Sequence, residues 1–135
     1  MKTLLAVVVV AVALPLFADS SLFAEYESVR QGFLKSSLAK VQKNAASLAT
    51  KAEAEKNDVI ATHAQAVAKS ANLAKAREHF ALLSQEMIKV RNAATGARPA
   101  VYSCPMVKKA WLQPKGTVGN PYDSSMLLCG TLTAE

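Results

Sequence analysis

Two short clusters of sulfur side chains lie near the end of the chain: Cys104-Pro105-Met106 and Met126-Leu127-Leu128-Cys129. They contain both cysteines and two of the four methionines. Thiolate and thioether ligands are soft and select soft ions, Cu(I) and Ag(I) foremost. In an extended segment residues i and i+2 project to one side, so Cys104 and Met106 could present their sulfurs together. In a turn residues i and i+3 approach each other, as Met126 and Cys129 would. The four sulfurs then form one set of two thiolates and two thioethers. Such a set suits Mg or Ca poorly, and Zn would want more thiolate or imidazole. The rival reading of the same cysteines is a disulfide between Cys104 and Cys129. In an exported chain of this size that is the ordinary fate of two cysteines. Closing a loop of about 25 residues stabilises a fold by about 3 kcal/mol on the chain-entropy model. The two readings can coexist, with an oxidised resting form and a reduced, metal-binding one.

His63 and His79 are the only histidines. Both fall on helical stretches, where they could add imidazole to a metal site or simply lie at the helix surface. Met87 falls on a core stripe, where packing is the expected role. Nothing marks an enzyme. A cysteine nucleophile needs a positioned base, and neither histidine is singled out for that. There is no Cys-x-x-Cys, no His-Glu-x-x-His and no glycine-rich phosphate loop.

These residues need elements to hold them. Met1-Lys2-Thr3, an apolar run from Leu4 to Ala13 and Leu14-Pro15-Leu16-Phe17-Ala18 read as a secretory leader. The apolar run is too short for a membrane span. Cleavage is expected after Ala18, with Ala24 as the weaker site, giving a periplasmic protein without a spanning helix. The leader carries one lysine, so the formal charge falls from +6 to +5. The lysines are spread between alanines rather than clustered with aromatics, and no nucleic-acid motif is present.

Leu22, Tyr26, Val29 and Phe33 recur at helical spacing. Leu38, Val41, Ala45, Leu48 and Ala52 repeat it, and Ala76, Phe80, Leu83, Met87, Val90 and Ala94 do so again. Ile60, Ala64, Val67 and Ala71 make a weaker stripe. Ser36 or Ser37, Asn57 with Asp58, and Asn72 are N-cap residues for the helices that follow. Helices are therefore predicted over about 22–35, 37–54, 58–70 and 73–94. Short connections favour antiparallel neighbours. The fold class predicted is all-α, an up-and-down four-helix bundle. Gly96 and Pro99 end the helical region. Residues 97–135 hold four of the five prolines. They read as an irregular segment folded back on the bundle, with short strands or turns near Ala100–Ser103 and Met126–Leu132. The expected division is a leader over 1–18, helices over 19–96 and a Cys/Met segment over 97–135, the last two forming one domain. Trp111 and Tyr122 are its apolar anchors. Arg77 with Glu78 and Lys51 with Glu55 are expected as surface ion pairs.

The run Ala76-Arg77-Glu78-His79-Phe80-Ala81-Leu82-Leu83-Ser84-Gln85-Glu86-Met87 resembles the R-x-x-F-x-x-L-S helix of a known family. Tyr102-Ser103-Cys104-Pro105-Met106, Trp111-Leu112, Asn120-Pro121-Tyr122 and Met126-Leu127-Leu128-Cys129-Gly130 resemble its C-terminal signature in order. That family is an uncharacterised bacterial periplasmic helical domain, a domain of unknown function. It is found alone or fused to periplasmic adaptor subunits of copper and silver efflux systems. The resemblance covers nearly all of residues 19–135. It implies a helical bundle with a sulfur-rich end, and a partner among the periplasmic components of heavy-metal efflux. It carries over Cys104, Met106, Met126 and Cys129 as candidate ligands for Cu(I) or Ag(I), and Trp111, Asn120, Pro121 and Tyr122 as residues that shape the segment. Asp123-Ser124 stands where the family often has an aromatic-glycine pair, so a different turn before Met126 is expected. The adaptor domains of the fused members have no counterpart in these residues.

Overall fold

The computed structural model describes residues 18–135. The predicted leader, all but its last residue, lies outside them. Four helices come first: α1 (Ala18–Leu34), α2 (Leu38–Ala54), α3 (Asp58–Ala68) and α4 (Leu73–Ala93). Three strands follow: β1 (Ala100–Cys104), β2 (Lys109–Gln113) and β3 (Thr131–Ala134). The all-α expectation is thus corrected. The C-terminal segment builds an antiparallel sheet of order β2-β1-β3. Local alternation there is weak because the sheet is short and one face of it lies on the helices.

The apolar stripes are where the sequence places them. Leu22, Tyr26, Val29 and Phe33 are buried, as are Val41, Ala45, Leu48 and Ala52, and Ile60, Ala64 and Val67. Ala76, Phe80, Leu83 and Met87 complete the helical core. Leu38, Val90 and Ala94 are half-buried against this core, and Ala71 is an exception, exposed in the bend between α3 and α4. The first two helix connections share one geometry. Ser36 and Lys56 take left-handed φ values of 49° and 58°. After α1, Ser36 N–H donates to Phe33 O and Ser37 N–H to Gly32 O; after α2, Lys56 and Asn57 repeat the pattern on Glu53 and Ala52. These paired bonds satisfy helix-end carbonyls. The next residue is at once an N-cap: Ser37 accepts from Lys40 N–H, and Asn57 from Ile60 N–H. Asn72 does the same for Lys75 N–H at the start of α4. A two-way connection of this kind turns the chain in three residues, so each helix packs on the next along the chain. Gly32 lets α1 and α2 come close, since a Cβ there would stand 3.0 Å from Val41.

Helices and sheet share one hydrophobic core, which runs from Leu22 through Phe80 to Trp111, Leu112 and Tyr122. Aromatic rings bridge the two parts. Phe80 lies 4.9 Å from Tyr26, 4.8 Å from Phe33 and 5.9 Å from Tyr122, and Tyr122 lies 6.1 Å edge-on to Trp111. Such ring pairs add to simple area burial. The expected surface ion pairs are replaced. Glu78 pairs with Lys75 at 3.0 Å, and Glu55 accepts from Ser21 Oγ at 2.9 Å.

Candidate functional site

β1 ends at Cys104, and the chain turns at once. Lys108 N–H donates to Cys104 O at 2.9 Å, with Lys108 itself at φ 55°. Met106 therefore sits in a turn, not in an extended run. The i,i+2 projection expected of Cys104 and Met106 does not apply. Cys104 is buried at 1% exposure, whereas Met106 is 72% exposed. At the second cluster the turn is present: Cys129 N–H donates to Met126 O at 3.0 Å. Met126 is half-buried. Cys104 and Cys129 are joined by a disulfide, with Cα atoms 5.4 Å apart. The bridge staples the turn before β3 to the end of β1.

Asn120 organises the loop that leads there. Its N–H donates to Leu127 O at 2.8 Å and its amide Nδ2 to Met126 O at 3.2 Å, while its Oδ1 accepts from Tyr122 N–H at 2.9 Å. Pro121 offers its carbonyl to Arg77 Nε at 3.2 Å. Asp123 closes the turn before Met126. Its Oδ1 accepts from Ser125 N–H at 2.8 Å and Ser125 Oγ at 2.6 Å, and its O accepts from Met126 N–H. These bonds from Ser125 hold the Asp123 carboxyl below its ordinary range. Asp123-Ser124 thus makes a side-chain-capped turn where an aromatic-glycine pair is the expected alternative. Gly130 meets the indole directly: a Cβ there would stand 2.7 Å from Trp111 and 2.8 Å from Val118.

The R-x-x-F-x-x-L-S stretch of α4 is the seam that receives this segment. Arg77 reaches Pro121 and lies over the Phe33 ring, 5.9 Å from its centroid. Phe80 and Leu83 are fully buried. Ser84 Oγ meets two phenols, Tyr26 OH at 2.6 Å and Tyr122 OH at 2.9 Å. Tyr26 OH accepts from Leu112 N–H at 3.3 Å, and Tyr122 OH donates to Ala110 O at 2.8 Å. Burial pushes both phenols above the ordinary tyrosine value.

A second polar knot was not singled out by sequence reasoning. Arg30, 4% exposed, holds Glu27 through two bonds of 2.6 and 2.7 Å and reaches Gly119 O at 2.7 Å. Gln113 Oε1 accepts from Trp111 Nε1 at 2.9 Å and Gly119 N–H at 3.1 Å. The available signal was position: Arg30 falls on the buried stripe between Tyr26 and Phe33, and Gln113 ends an apolar strand. A buried charge must be paired and hydrogen-bonded, and Arg30 is.

His63 lies on α3 and His79 on α4, both half-buried. Among the described residues no three of His, Cys, Asp or Glu form a group that could hold a metal ion.

A family model described as "Protein of unknown function (DUF3347)" matches residues 22–97. That is more than half of the chain. The chain belongs to this family. The DUF3347 match spans all four helices from Leu22 onward and stops before β1, so the disulfide segment lies beyond it. The R-x-x-F-x-x-L-S stretch is inside the match; the Cys-Pro-Met and Met-Leu-Leu-Cys-Gly runs are outside. No curated protein and no solved structure matches the chain. Among the described residues no helix is long and apolar enough to cross a membrane.

Proposed function

We propose that this DUF3347 protein is a non-catalytic interaction module of the cell envelope, working in its disulfide-bonded form. The observation that carries the reading is the surface around the bridge. Met106 (72% exposed), Leu128 (73%), Leu127 (39%) and Leu132 (39%) make up four of the six large apolar side chains left exposed among the described residues. All four flank Cys104 or Cys129 within three residues. Exposed apolar residues gathered at one place mark contact surfaces, whereas scattered ones do not. β3 adds an open sheet edge beside them, because β1 occupies only its other side. An open edge offers unpaired backbone groups to a partner strand. Export rests on the leader over residues 1–18. Processing after Ala18 takes only the first residue of α1, whereas a cut after Ala24 would remove the buried Leu22 and Phe23.

A photo-crosslinking residue at position 128, compared with one at the exposed Val59 of α3, tests the reading in cells producing the full chain. A discrete adduct from position 128, absent from position 59 and lost with Leu132→Asp, is the expected result. Equal or absent crosslinking at both positions refutes it.

One observation favours a second reading. The bridge holds Cys104 and Cys129 together, and Met106 and Met126 lie two and three residues from them along the chain. A disulfide has no thiolate to offer. A dithiol reductant would take up the bridge, become a disulfide itself and leave two protein thiols. The four sulfurs would then suit Cu(I) or Ag(I), for buffering or hand-over to a heavy-metal efflux component. Anaerobic Cu(I) titration against a competing chelator separates the readings. One tight equivalent after reduction, lost in Cys104→Ser/Cys129→Ser and weakened by Met106→Leu/Met126→Leu, supports the metal site. No competition for Cu(I) even after reduction leaves the interaction module alone.

A further inference from the structure

A cleft of about 480 Å³ lies between the first turns of α1, the 97–99 connection and the end of β2. The ladder pairs Ala100 with Gln113 at this end and Cys104 with Lys109 at the other. The cleft is therefore remote from the disulfide and independent of the reading above. Its walls are largely apolar, built from Phe23, Ala24, Pro99, Leu112 and Pro114. Size and lining fall in the range of small-molecule sites, roughly 300–1,000 Å³ with a few polar groups.

Three charged side chains line it: Glu27, Arg98 and Lys115. Two are already compensated. Glu27 is held by Arg30 and accepts from Gln31 Nε2 at 2.8 Å, and Lys115 pairs with Glu135. Arg98 is different. Its Nη1 donates to Arg91 O and Ala94 O, each at 3.3 Å. Among the described residues its Nε and Nη2 have no protein partner, and no carboxylate meets it. Arg91 stands next to it, 3% exposed. Arg91 Nε donates to Pro99 O at 2.9 Å and Nη1 to Asn92 Oδ1 at 3.1 Å, but its buried Nη2 has no partner. Burial, and then the charge of Arg98, hold Arg91 below the ordinary arginine range. Arg98, an exposed guanidinium that meets no carboxylate, thus lines an apolar cleft, with the buried guanidinium of Arg91 next to it. An anion at Arg98 would be attracted by both cationic groups.

We propose that this cleft binds a single-chain amphiphile with an anionic head, the head on Arg98 and the chain along Phe23, Ala24, Leu112 and the two prolines. A bare inorganic anion would leave the apolar walls wet. A neutral hydrocarbon would leave Arg98 unmet. The carboxylate of a fatty acid and the phosphate of a lipid share the required chemistry.

The test is titration of the full chain with dodecanoate and, separately, dodecyl phosphate, below their micelle concentrations, followed by amide NMR. Saturable one-to-one binding by at least one of them, moving the Ala24, Arg98 and Leu112 amides, is expected. Which of the two binds more tightly assigns the head as carboxylate or phosphate. Arg98→Gln is expected to weaken binding about tenfold, as loss of one charge-assisted contact does. Ala24→Trp fills the cleft from an exposed position and is expected to abolish binding while the spectrum stays folded. Inorganic phosphate should leave the spectrum unchanged, and dodecyltrimethylammonium should bind about tenfold more weakly than the anions. Binding of the cationic detergent as tight as the anions, unchanged binding in Ala24→Trp, or no binding by either anion overturns the proposal.

Discussion

At the scale of single residues, the buried hydroxyls decide how helix and sheet meet. Tyr26, Ser84 and Tyr122 satisfy one another and the backbone of β2, and all three are buried. Leaving one of them unpaired costs about 1–3 kcal/mol. Ser84→Ala is expected to lose stability in that range by urea unfolding, with far-UV signal retained. The same burial predicts a pH response. In the fold both phenols hold their protons above the ordinary value of 10.0. In the unfolded chain they ionise near it. The folded state then binds more protons than the unfolded one at alkaline pH, so this stability is present below pH 10 and falls as pH rises beyond it. Tyr26→Phe/Tyr122→Phe should flatten the fall between pH 9 and 11 relative to the parent chain, measured as the urea midpoint. An equal slope would mean that the phenols ionise without unfolding.

At the scale of elements, the C-terminal segment is held by close approach rather than by propensity. β3 is short and exposed, and its place depends on the turn before it. Gly130 allows that turn to touch Trp111, which is fully buried. Gly130→Val is expected to cost about 1–3 kcal/mol through overpacking, with a shift in Trp111 fluorescence. A variant as stable as the parent, with unchanged emission, would show that the contact is not tight. The helices are legible from sequence because each rests on local rules. Ser37, Asn57 and Asn72 cap where caps are expected, and the stripes of α1, α2 and α4 bury as their spacing requires. Trp111, Asn120, Pro121 and Tyr122 were legible as a pattern, but their bonds were not. Asn120 acts through backbone groups six and seven residues away, and no local rule specifies those.

At the scale of the molecule, the Cys104–Cys129 bridge closes a loop whose ends are 25 residues apart. Its reduction is expected to lower stability by about 3 kcal/mol, read as the shift of the urea midpoint at constant slope. One core joins helices and sheet, so unfolding should remain a single transition by Trp fluorescence and by far-UV signal. Separate transitions would show that the sheet segment melts from the helices on its own.

Periodicity, caps and cysteine count, all local, determined four helices, their connections and a choice between a bridge and a sulfur site. The tertiary structure decided what depends on distant groups meeting. It brought Cys104 and Cys129 into a bond, moved Met106 into a turn and out to solvent, and converted an irregular tail into a three-stranded sheet. It also paired Arg30 with Gly119 across 89 positions of chain and left Arg98 without a carboxylate. Each of those outcomes is set by which surfaces pack together, and a one-dimensional pattern carries that information only through the residues it buries.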